Sequence, residues 1–238
     1  MRMSNPQNSA AKNVDMFVKE LWRFPAKSMA GERLASAQID ELGVDGDRKV
    51  LVRGANGRVI TSRTHHKLLG LKGTLGSDGN VRISGHVWNT AEALALVRKA
   101  AGPGAELFYY DAPERFDVLP LLVATDGAIA AFGHDGRRLR PNIVIGGVEE
   151  LSERAWPGKC LRIGEVVIGI QDLRSRCVMT TFDPDTLEQD PNVLKEIAQR
   201  SDGRLALNCF VIHGGEIHEG DRVQLQAAKE CESFQKNE

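Results

Sequence analysis

The sequence predicts a strand-rich α+β protein built from two β-barrel-like halves. Short apolar runs alternate with turn signals along most of the chain, a pattern that favours strands over long helices. Glycine is frequent, at 24 of 238 residues, which supplies those turns. The regular strand–helix alternation of a doubly wound sheet is missing.

Phe17 to Phe24 reads as a first strand, ended by Pro25. Arg48 to Val52, Val59 to Thr61, Gly70 to Leu75 and Val81 to Ser84 follow, with Asp78-Gly79-Asn80 as a hairpin turn. Asn89 or Thr90 can cap a helix from Ala91 to Ala100, closed by Gly102-Pro103. Residues 111–120 link to the second half. There, Leu121 to Ala124 is a strand, and Thr125-Asp126 offer caps for a helix through Gly127 to Phe132. Ile143 to Ile145, Val166 to Ile170, Leu207 to Ile212 and Arg222 to Leu225 are further strands. Asp190-Pro191 caps and starts a helix through Val193 to Gln199. The expected division is a disordered tail over 1–13, one unit over 14–112, a second over 113–227 and a fraying tail over 228–238.

Bulk properties exclude several function classes. A formal net charge of −1 gives no overall pull toward nucleic acid or an anionic membrane. Aromatic residues at 5% leave no stacking platform for single strands, so no nucleic-acid partner is expected. No apolar run approaches the roughly 20 residues of a membrane span, so no membrane partner is expected. Cys160, Cys177, Cys209 and Cys231 are far apart and form no zinc knuckle or redox pair. Few cysteines and a polar start predict a reducing, cytoplasmic location. His65-His66, His213 and His218 show no zincin spacing and read as turn or surface residues. Walker, dinucleotide and nucleophile-elbow signatures are all missing.

Three segments can carry chemistry. Ser175-Arg176-Cys177, followed by two threonines, places a thiol beside guanidinium charge. Such charge favours a thiolate, the form a soft metal takes. On this segment alone, a buried structural cysteine is the stronger alternative. Arg140-Pro141-Asn142 follows a basic turn. Arg140 can grip an anion with its planar fork and Asn142 can read a donor–acceptor edge. A solvated basic turn is an equal alternative. Lys27 and Ser28, just after the first strand, suit a phosphate, or form an ordinary polar turn. Arg48 stands at a strand entrance with Asp47 as its surface partner, a weak interaction.

In order along the chain, these segments resemble MOSC-domain proteins preceded by a MOSC N-terminal β-barrel domain. The first half carries the likeness through LWRFPAKSM, GDRKVLV and VITSR. The second carries it through LLVATDGA, RPNIVI, WPGKCLRIGEVVI, SRCVMTTFDPDT, NCFVI and GDRVQL. The likeness runs from about residue 14 to 227. It is similar in particular to the branch of mitochondrial amidoxime-reducing components and their bacterial counterparts.

The resemblance implies a molybdenum cofactor, Mo-molybdopterin, with Cys177 as metal ligand and catalytic centre. It implies cofactor contacts from Lys27, Ser28, Arg48, Thr125, Arg140, Asn142, Ser175, Arg176 and Asn208. The implied activity is reduction of N-hydroxylated small molecules. Electrons are expected from a separate donor protein of flavin, iron–sulfur or cytochrome type. The alternative is a non-catalytic cofactor or sulfur carrier with a persulfide on Cys177.

Overall fold

The structure is a computed structural model that describes residues 15–227 and 229–230. The expected tails, 1–13 and 228–238, fall outside the described residues apart from 229 and 230.

The first half runs through β1 (Met16–Arg23), β2 (Glu32–Leu34), β3 (Ser36–Asp40), β4 (Gly43–Val44), β5 (Val50–Arg53) and β6 (Val59–Ile60). It continues with β7 (Gly73–Leu75), β8 (Val81–Ile83), β9 (His86–Val87), α1 (Ala91–Ala101) and β10 (Glu106–Tyr109). The second half begins with β11 (Leu121–Thr125), α2 (Asp126–Phe132), β12 (Ile143–Gly146), β13 (Cys160–Ile163) and β14 (Val166–Ser175). It ends with α3 (Asn192–Ser201), β15 (Arg204–His213), β16 (Gly215–His218) and β17 (Arg222–Gln226).

A closed barrel of seven strands dominates. Its order is β1-β12-β11-β15-β14-β13-β17, and β17 returns to β1, while β2 extends the outer side of β1. The closing strand therefore comes from the first half of the chain, and backbone hydrogen bonds join the two halves. A bulge between Val18 and Glu20 shifts the register of β1 against β12, while β17 pairs with the other edge of β1 at Met16 and Phe17. Closure leaves the barrel strands few free edges. The inward residues follow the two-residue period of the strands. Leu121, Val123, Ile143, Ile145, Leu161, Ile163, Ile168 and Leu207 fill the interior.

One pair departs from an otherwise antiparallel barrel. β11 and β12 are parallel, because α2 intervenes as a crossover between them. Thr125 caps α2, its hydroxyl accepting from the Ala128 amide at 3.0 Å.

The first half folds as short antiparallel sheets, β10-β5-β6 and β7-β8-β9, over a core of its own. Val50, Val52, Leu68, Ile83 and Val97 are central to it. A third small sheet pairs β3 and β4 with β16 from the far end of the chain. Thr90 caps α1, as one of the two expected caps. The stretch expected as a strand from Gly70 starts instead with a tight turn, His66–Gly70, and becomes extended only at Gly73. Arg48 lies outside β5, with φ of 53°, so the strand starts later than expected. Among the described residues, no helix is long and apolar enough to cross a membrane.

Candidate functional site

Where the barrel meets the first half, a cleft of about 480 Å³ opens. It is built from four loops. The first follows β1. Ala26 bridges to Val50, and the Lys27 amide donates to the Val50 carbonyl at 2.8 Å. Gly73 backs onto this loop, where a Cβ would come within 3.0 Å of the Ala26 nitrogen. Ser28 is held at φ of 70°, a conformation that only surrounding contacts sustain in a non-glycine residue.

The second loop carries Asp47 and Arg48. The sequence reading takes Asp47 as a surface partner, and the structure corrects this, because Asp47 is fully buried. Its carboxylate accepts from the Phe24 amide at 2.6 Å, from Asn142 Nδ2 at 3.2 Å and from the Arg48 guanidinium. Arg48 is thereby fixed at the cleft wall.

The third loop ends at Arg140, which has φ of 58° and lays its guanidinium on the Phe24 ring at 4.3 Å. Burial, then the neighbouring Arg48 charge, pushes Arg140 down to about 9. Arg140 still carries its charge at neutral pH, at a desolvation cost that a bound anion would offset.

The fourth loop is the end of β14 and the turn that follows. Arg174 donates to Asn208 Oδ1 at 3.2 Å, and Asn208 donates to Asp172 at 2.6 Å. Arg176 reaches the Leu139 carbonyl at 2.8 Å, and burial pushes it down to about 10. Cys177 opens the turn Val178–Thr181, and its carbonyl accepts from the Thr180 amide at 3.0 Å and hydroxyl at 2.8 Å. The Cys177 thiol is free and half-buried, and it lies close enough to Arg63 to raise that guanidinium's pKa. By contrast, Cys209 is sealed in the barrel, where burial pushes its thiol far up and makes it inert.

Seven basic side chains line this cleft, namely Lys27, Arg48, Arg63, Arg138, Arg140, Arg174 and Arg176. Two acidic ones accompany them, Asp117 and Asp172. Asp117 is the local hub. Lys27 lies 2.8 Å from it, Arg63 2.7 Å and Arg174 4.0 Å. Burial works to raise the Asp117 carboxyl, but Lys27, Arg63 and Arg174 together hold it below the usual carboxylate range. The Nε atoms of Arg138 and Arg176 are buried with no hydrogen-bond partner among the described residues. The cleft is thus strongly cationic within a chain of net charge −1. Its chemistry suits a multiply charged anion beside a thiol.

Eight of the expected site residues line the cleft: Lys27, Ser28, Arg48, Arg140, Ser175, Arg176, Cys177 and Asn208. Thr125 and Asn142 do not. Thr125 is fully buried as the α2 cap, and Asn142 is fully buried beneath the wall. Asn142 accepts from the Leu122 amide at 3.1 Å while it donates to Asp47. Arg63, Arg138 and Asp117 line the cleft without having been assigned a role from the sequence. Arg63 lies inside the quoted VITSR motif, which was its available signal. The histidines gather no metal site, and no group of three metal-ligating side chains occurs among the described residues.

Residues 16–105 match the MOSC N-terminal beta barrel domain, and residues 128–224 match the MOSC domain. The mitochondrial amidoxime-reducing component 1 of Homo sapiens is 24% identical, over 71% of this chain and 67% of that protein. The YUAD protein from Bacillus subtilis shares the fold, with a TM-score of 0.50 at 12% identity, covering 89% of this chain and 96% of that one. YiiM from Escherichia coli is 11% identical with a TM-score of 0.41, over 92% of this chain and 75% of that one.

Proposed function

This chain belongs to the MOSC-domain proteins, with a MOSC N-terminal beta barrel domain ahead of the MOSC domain, and from that premise we propose that it binds a molybdenum cofactor and reduces N-hydroxylated compounds. The observation that carries this reading is one free thiol, Cys177, set in a cleft of seven cations and two acids. The donor set fits the group. Unpartnered guanidinium nitrogens on Arg138 and Arg176 call for anionic oxygen, and a thiol suits a soft metal.

Cys177 would ligate the metal. Lys27, Ser28, Arg48, Arg140, Ser175, Arg176 and Asn208 would hold the anionic parts of the cofactor. Asn142 serves one step removed, by fixing Asp47 and through it Arg48. Arg63, held by Asp117 at 2.7 Å, would place its positive charge near the thiol. When bound, the cofactor supplies the two-electron redox couple. In the overall reaction, two electrons and two protons convert an N–OH group into N–H and release water. A separate protein of flavin, iron–sulfur or cytochrome type provides the electrons.

Expression in a host that makes the cofactor, followed by elemental analysis, tests the assignment. The parent should carry near-stoichiometric molybdenum and turn over a test amidoxime with an artificial donor. Cys177→Ala should lose most of the metal and all turnover. Full metal and full turnover in that variant would sink the assignment. A metal-free parent bearing a persulfide on Cys177 would favour a sulfur carrier instead.

A further inference from the structure

The seven cations of the thiol cleft are not equally available to a ligand. Arg48 is committed to Asp47, and Arg138 to Asp183. Arg176 donates to a backbone carbonyl and Arg140 stacks on Phe24, and neither makes an ion pair among the described residues. The remaining three, Lys27, Arg63 and Arg174, all lie within 4.0 Å of one carboxylate, that of Asp117. A single acid thus stands between three cations and any incoming anion.

Asp117 is fixed where it stands. It follows a tight turn, Pro113–Arg115, on the segment that links the two halves. Arg115 is fully buried, and its guanidinium donates to the Asp47 carbonyl and to Asp111, both at 3.0 Å. The Arg115 carbonyl in turn accepts from Lys27 Nζ at 2.6 Å. Phe116 is buried between these residues, with the Arg48 and Arg115 guanidiniums over its ring. The three cations reach Asp117 from separate parts of the chain, since Lys27 follows β1, Arg63 follows β6 and Arg174 lies near the end of β14. Without an acid among them these like charges would repel one another. The Asp117 side chain is only 30% exposed, so solvent screens the group incompletely.

We propose that Asp117 is the resident counter-anion of the thiol cleft: it steadies the vacant cleft and tempers its affinity for small anions, which makes it a residue that sets ligand specificity. A small oxyanion must share Lys27, Arg63 and Arg174 with a fixed carboxylate that repels it. A larger ligand gains Arg140, Arg176 and Cys177 as well, and so tolerates that repulsion. Discrimination of this kind comes from a built-in repulsive element. That the larger ligand is the cofactor rests on the reading above, whereas the action of Asp117 on inorganic anions does not.

Calorimetry with inorganic pyrophosphate on the metal-free protein, in low salt, tests this. Asp117→Asn keeps the shape of the side chain and removes its charge. It should bind pyrophosphate about tenfold tighter than the parent. With no anion present, it should also unfold at a lower urea concentration. Asp117→Glu, which keeps the charge, should stay within about threefold of the parental affinity. Glu165→Gln removes the same charge from an exposed turn at the far end of β14 and should leave pyrophosphate affinity unchanged. The opposite signs identify the role, because a residue that only props its neighbours would lose affinity and stability together. Circular dichroism confirms folding, and Asp117→Ser gives the same readout if the Asn variant does not fold. Unchanged or weaker pyrophosphate binding in the folded variant, a urea midpoint no lower than the parent's, or an equal gain in Glu165→Gln would each overturn the proposal. A tenfold gain, of about the size expected, in a protein that takes up no molybdenum would keep the counter-anion and reject the reductase. Full molybdenum and turnover in the parent, with no gain in Asp117→Asn, would keep the reductase and reject the counter-anion.

Discussion

Asp47 and Glu153 are both carboxyls with no exposure to water, yet the molecule treats them in opposite ways. Asp47 sits under the cationic cleft and is saturated with partners from three segments, the end of β1, Arg48 and Asn142. Glu153 sits at the other end of β11, beneath the start of α2. One oxygen accepts from the Thr125 hydroxyl at 3.3 Å, and the other has no hydrogen-bond partner among the described residues. Burial pushes the Glu153 carboxyl up. The contrast separates a buried charge that organises the site from one that the fold merely tolerates. A paired buried carboxylate fixes its neighbours in place, whereas an unpaired one is a cost.

The largest expected effect follows from breaking the organised member. Asp47→Ala would leave Arg48, Asn142 and the Phe24 amide without their acceptor at once. It should cost about 3–5 kcal/mol of unfolding free energy, the usual toll for stripping one partner from a buried ion pair. Urea unfolding of the metal-free protein measures this apart from any ligand. A loss below about 1 kcal/mol would show that Asp47 is not the keystone of the cleft wall.

The next effect sharpens the distinction between lining and supporting residues. Thr125 and Asn142 are both buried and both absent from the cleft lining. Thr125→Ala should cost about 1 kcal/mol through the lost helix cap and leave molybdenum content unchanged. Asn142→Leu should lower molybdenum content, because it loosens Asp47 and hence Arg48. Equal molybdenum content in both variants would erase the difference between the two positions.

This difference also marks how far the sequence could be read. Lys27, Ser28, Arg48, Arg140 and Cys177 belong to short local motifs, and the fold brings them together as expected. Thr125 and Asn142 carry the same kind of motif, but whether such a residue faces a cleft or a backbone depends on packing that local pattern does not encode. Arg63, Arg138 and Asp117 had no spacing rule to reveal them, since their roles arise from contacts across more than forty positions.

The elements show the same split. Two helices were legible from their caps, Thr90 and Thr125, whereas α3 starts one position later than expected, with Pro191 at its N-cap and the Asp190 carboxylate accepting the Asn192 amide at 2.9 Å. Strand β3 could have been found, because SAQID buries alternate residues, Ala37 and Ile39. The two-residue strands β4 and β9 could not, as pairing alone defines them. Closure of the barrel by β1 was equally hidden, because register against β12 and β17 is a long-range property.

The smallest effect concerns Glu153 and reverses sign relative to Asp47. Its folded carboxyl lies above the ordinary value of 4.5, so the unfolded chain releases this proton first as pH rises. Stability is therefore lost from about pH 4.5 upward, until the folded carboxyl itself ionises. Glu153→Gln removes that loss while keeping an oxygen for the Thr125 hydroxyl. It should stabilise the protein by about 1 kcal/mol at pH 7 and by nothing at pH 4. Melting curves at the two pH values measure the difference. A gain of the same size at both would place the cost in packing around Glu153 rather than in its charge, and a loss at pH 7 would mean that the buried carboxylate is paired after all.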